Sequence, residues 1–134
     1  KLSEAEMRVA EKKTRKAAAE LSERAERITE LMKRRERYLF RLEAGETADT
    51  EGEGRELLIA TAESYSREAQ LRDDIEGADN EIDMLADELE PLLEEAGNLL
   101  GSTAMAGQKS ESCELLKNAL ASAQAALELC SYED

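Results

Sequence analysis

The chain is predicted to be all-α: an antiparallel three-helix bundle made of a long coiled-coil-like helical hairpin and a shorter third helix. Three observations carry this. Ala, Glu, Lys, Arg and Leu supply 83 of 134 residues, above the roughly 50% that marks coiled coils and long helices. Val and Ile together number five and aromatic residues four, too few to fill the pleated faces of a sheet core. Apolar residues recur at alternating steps of three and four through three segments separated by glycine-rich stretches.

The first helix is expected over about residues 4–44. Its seam reads Met7, Ala10, Thr14, Ala17, Leu21, Ala25, Ile28, Met32, Arg35, Leu39 and Leu42, with one stutter where two steps of four adjoin at Leu21. Ser3 followed by Glu6 has capping-box spacing, and Gly45 marks the end. Residues 45–54 hold three glycines and no large apolar side chain, and are read as the turn.

The second helix is expected over about 55–100, with a seam at Leu58, Ala62, Tyr65, Ala69, Arg72, Ile75, Ala78, Ile82, Leu85, Leu89, Leu92, Ala96 and Leu99. Pro91 falls inside it. The seam keeps its register beyond the proline, so a kink is expected there and not an end. A linker over 101–109 leads to a third helix over about 110–131, carrying Cys113, Leu116, Leu120, Ala123, Leu127 and Cys130 at three-four spacing. A hairpin centred near residue 50 would face partner positions summing to about 99. The third helix, half as long, would return along the second with sums near 210, leaving the turn-proximal half of the hairpin as a two-helix arm. The chain reads as a single helical domain.

Composition also bears on function. There is no His, the commonest acid-base group and metal ligand, and no nucleophile motif, phosphate loop or paired-Cys zinc spacing. The expectation is a non-enzyme with no catalytic residues, cofactor or metal site. Cys113 and Cys130 lie 17 positions apart on one expected helix, about 25 Å, too far for a disulfide, which favours a reducing compartment. No apolar run reaches the ~18 residues of a membrane span and no signal-peptide core is seen, so a cytoplasmic protein without membrane contact is expected.

The net charge of -14 is unevenly placed. Residues 1–42 hold 13 basic and 8 acidic groups, whereas residues 73–95 contain eleven carboxylates and no base. The cluster Lys12, Lys13, Arg15 and Lys16 is expected to face that acidic run. Arg34, Arg35 and Arg37 have no such neighbour in the loop-centred register and stand beside Tyr38 and Phe40. Arg with aromatic residues is the combination enriched at interface hot spots. An acidic protein partner suits it, and the overall negative charge disfavours nucleic acid. The apolar residues gathered near the turn (Tyr38, Leu39, Phe40 and Leu42 with Leu57, Leu58, Ile59 and Tyr65) either plug the hairpin end or form a patch for a partner or for a second copy.

In helix order, helix lengths and composition, residues 4–131 resemble tubulin-binding cofactor A. Lys13-Thr14 followed by Lys16 is similar to the basic Lys-Thr segment of that family's first helix, although Arg15 stands where the family usually has Gly. The resemblance implies a non-enzymatic, cytoplasmic and cytoskeleton-associated chaperone. It would capture β-tubulin after its release from the chaperonin, during tubulin heterodimer assembly on the way to microtubules. Lys13, Thr14 and Lys16 are the contacts that the motif carries over. Lys12, Arg34, Arg35, Arg37, Tyr38 and Phe40 are candidates on charge and packing alone. The alternative classes are a structural coiled-coil module that homodimerises through its hairpin tip and a helical bundle of trafficking or effector type. The protein is expected to be a monomer or a homodimer.

Overall fold

A computed structural model describes residues 3–45, 55–101 and 111–130, with the side chains of residues 56–58 and 60 excluded. The chain is all-α, with α1 at Glu4–Glu43, α2 at Arg55–Gly101 and α3 at Glu111–Cys130 packed as a three-helix bundle. The turn and linker read from sequence fall, apart from Gly45 and Gly101, outside the described residues.

The ends of α1 follow from its sequence. The Ser3 backbone N–H donates to Glu6 Oε1 at 3.0 Å and the Glu6 N–H donates to Ser3 Oγ at 3.1 Å, a reciprocal cap for two amides that lack helical acceptors. The bond from the Ser3 amide holds the Glu6 carboxyl below its ordinary value. At the other end Gly45 has φ 66°, and its N–H donates to the Leu42 carbonyl at 3.2 Å. A left-handed residue after the last turn closes orphan carbonyls at no cost only when it has no Cβ. Gly45→Ala is therefore expected to lower stability by about 1–2 kcal/mol, measured as a lower urea midpoint.

The helix α2 runs unbroken through Pro91. Gly97 and Gly101 are helical.

Two compact units divide the chain, one of residues 1–30 with 83–134, the other of residues 31–82. The first holds three helices. Its core includes Leu21, Ile28, Leu89 and Leu116, all fully buried, with Ala17, Ala18, Ala96, Ala119, Ala123 and Ala126 between them. On α3 the alanines sink deeper than Leu120 and Leu127, which are only half-buried, so the stripe is rotated toward its small residues relative to the expected seam. Burial pushes the Cys130 thiol up, and the negative charge of Asp83 adds to the shift.

The second unit is a two-helix pair. Leu31, Leu71, Ala78 and Ile82 are buried, and Tyr38, Leu39, Leu42 and Ile75 are half-buried.

Polar seam pairs set the register of α1 against α2. In the three-helix unit Arg24 Nε donates to Glu88 Oε1 at 2.9 Å. In the two-helix unit Arg35 Nε donates to Asp79 Oδ1 at 2.6 Å. These pairs set residue i of α1 opposite residue 112 − i and 114 − i of α2, so 113 − i describes both. The loop-centred value of 99 is overturned by two heptads, because the turn is not symmetric about the hairpin. Glu43 comes level with residue 70, and Leu71 is the first buried side chain of α2 among the described residues.

On α1 the expected Thr14, Ala17, Leu21, Ala25 and Ile28 are all buried, with the two adjoining steps of four at Leu21; beyond them Leu31 is buried and the expected Met32 only half-buried. Opposite α1 the α2 seam runs Leu71, Ile75, Ala78 and onward in unbroken three-four steps. The expected positions Ala62, Tyr65, Ala69 and Arg72 are exposed instead.

Candidate protein interface

The candidate residues separate into three groups. Thr14 is fully buried, and its hydroxyl donates to the Ala10 carbonyl at 2.7 Å. A seam residue with its one donor already used cannot meet a partner, so Thr14 leaves the site. Lys12, Lys13 and Lys16 are exposed. The observed register sets residues 12–16 level with residues 97–101, which carry no carboxylate, and not with the acidic run of α2. This cluster is a solvated basic face.

The second basic cluster is divided by the same register. Arg35 was expected to be unpaired, but it occupies the seam, 20% exposed at its side chain, and holds Asp79. Arg34 is half-buried and is not free either. Tyr38 is half-buried at a seam position level with Ile75. What remains outward is Arg37 and Phe40, and Phe40 is 72% exposed.

Around these two the structure adds residues that the sequence reading passed over. Lys33, Glu36, Arg37, Phe40 and Arg41 line an open depression of about 450 Å³. They recur at helical spacings of three and four on the side of α1 turned away from the seam, where such neighbours stand about 5–6 Å apart. The set carries three cations and one anion around an exposed ring. Phe is costly to leave in water, and burying it on association stabilises a complex by about 1.5–3 kcal/mol. Cations on a rim steer an acidic partner and weaken with salt. The signal available in sequence was Arg41, one helical turn beyond Arg37, as Lys33 at the head of the basic cluster 33–37 is one turn before it.

On α2, Ile59 is 49% and Tyr65 70% exposed in the same unit. No group of three or more His, Cys, Asp or Glu able to hold a metal ion occurs among the described residues, and no helix among them is long and apolar enough to cross a membrane. Cys113 is buried and Cys130 half-buried at opposite ends of α3, both as free thiols.

No protein-family model matches the chain, and no curated protein or solved structure matches it.

Proposed function

We propose that this protein is a non-enzymatic helical binding module that takes an acidic protein surface on the outward face of α1 formed by Lys33, Arg37, Phe40 and Arg41. The observation that carries the reading is Phe40, a large ring left 72% exposed in a ring of cations. An anionic partner with an apolar side chain to cover that ring satisfies both halves of the face. Capture of β-tubulin during heterodimer assembly is the specific form that the resemblance to tubulin-binding cofactor A supplies, and an acidic partner of that kind is what the face suits.

The test is retention of purified β-tubulin on the immobilised chain at low and at high salt. Retention at low salt, reduced at high salt and lost in Arg37→Glu with Phe40→Ala, is the expected result. Lys12→Glu with Lys13→Glu is expected to leave retention nearly unchanged, since that cluster lies outside the face. Equal retention by the Arg37/Phe40 variant would remove the face from the account, and no binding at any salt would remove tubulin.

A second reading, self-association through α2, is favoured by exposed Ile59 and Tyr65. Sedimentation of the free protein separates it, because Tyr65→Ser would then lower the mass observed while leaving tubulin retention intact.

A further inference from the structure

We propose that the ion pair between Arg35 and Asp79 is the register key of the α1–α2 hairpin: it, more than the apolar seam, selects this alignment over those one heptad away. In an antiparallel pair with heptad seams, sliding one helix by seven residues returns every seam position to a seam position. Here such a slide, from 113 − i to 106 − i, would set Leu21 opposite Leu85 instead of Leu92, and Leu31 opposite Ile75 instead of Ile82. Apolar meets apolar at these pairs in both alignments, and the slide loses apolar partners near the turn, where Tyr38 would face Glu68 and Leu42 would face Ser64, so burial separates the alignments only at that end.

The two seam arginines differ in what they find after a slide. Arg24 now holds Glu88. Seven residues to either side of Glu88 stand Glu81 and Glu95, and fourteen residues before it stands Asp74. Arg24 meets a carboxylate at every step and is indifferent to register. Arg35 now holds Asp79 at 2.6 Å. Seven residues before Asp79 stands Arg72, seven after it Ala86, and fourteen before it Tyr65. Only the observed alignment gives Arg35 an acid at that place.

The slide toward Arg72 is the most disfavoured. It brings two guanidinium groups together, and the nearby carboxylate, Glu68, is already engaged by Arg72 at 3.3 Å. A part-buried polar pair that adds little net stability but excludes competing registers is the best-attested use of such pairs. The space for it is present in the seam: Arg35 stands level with Ala78, whose small side chain leaves room for the guanidinium.

The key is tested by moving it. With Cys113→Ala and Cys130→Ser, spin labels are attached at Glu43→Cys and Gly77→Cys, both exposed and the second with no atom within 4 Å of an added Cβ. Glu43 now stands level with residue 70, and after a one-heptad slide it would stand level with residue 63. The separation along the axis from residue 77 then grows by about 10 Å. Exchanging the charges on α2 alone, Arg72→Asp with Asp79→Arg, puts the acid one heptad away and leaves Arg35 untouched. The expected result is a lengthened label distance in that chain and in Arg35→Asp, and the original distance in Arg24→Leu. If Arg35→Asp fails to fold, the exchange on α2 decides alone. Its two positions keep access to water, with the Arg72 side chain 64% and the Asp79 side chain 33% exposed. The native distance retained in the folded exchange variant, or a shift produced by Arg24→Leu, overturns the proposal.

Discussion

Leu116→Ala is expected to cost about 2–5 kcal/mol, a large share of the roughly 5–15 kcal/mol that holds a domain together. On α3, Leu116 is the only large apolar side chain that is fully buried; its companions at the interface are Ala119, Ala123 and Ala126. Truncation thus removes most of the apolar volume by which α3 adheres, and leaves a void that alanine neighbours cannot fill. Leu120→Ala, at a half-buried position one turn on, is expected to cost clearly less. Urea unfolding followed by helical circular dichroism checks both, and equal losses would mean that α3 is seated on its expected seam and not on its alanine stripe.

Pro91→Ala is expected to act in the opposite direction, raising stability by up to about 3 kcal/mol. The proline sits exposed within a helix that continues for ten residues beyond it. Its ring leaves the Asp87 carbonyl without a helical donor and crowds the turn before it. Alanine restores the amide and touches nothing in the core. A higher urea midpoint is the expected reading. An unchanged midpoint would mean that the helix has already relaxed around the ring.

The parts of the fold that local chemistry governs were legible in the sequence. The Ser3–Glu6 cap and the glycine stop at Gly45, the two ends of α1, follow from residues within one turn of each feature. The core positions Leu21, Ile28, Ile82, Leu85, Leu89 and Leu116 follow from spacing alone. The pairing of α1 with α2 does not, because a heptad slide keeps most apolar seam positions facing apolar ones, and the midpoint of the turn is a poor guide when α2 extends about fifteen residues past the level at which α1 ends.

The first half of α2 was misread for a related reason. Ala62, Tyr65 and Ala69 keep three-four spacing yet are exposed, because α1 ends level with residue 70 and they stand beyond it; the Leu58 side chain lies outside the described residues. These errors reached the candidate site: in the wrong register the seam residue Arg35 lacks an acid and reads as a free cation, whereas in the observed one it holds Asp79. Arg37 and Phe40 survived because their exposure depends on the face of α1 they occupy and not on which residue of α2 stands opposite.

Eight of the seventeen buried apolar residues among those described are alanine. Alanine gives up no rotamer freedom on burial, so these layers are assembled at little entropic cost, and each has little side chain left to lose. The tolerance of the seams to genetic drift is therefore lopsided. Ala123 and Ala126 can fall to glycine at a modest loss of helix propensity, about 1 kcal/mol each, but growth to valine or leucine must push a whole helix outward. Through this lineage the seams are expected to stay narrow while the outward faces diversify, so that new binding specificities arise on a scaffold whose helix spacing is inherited nearly unchanged.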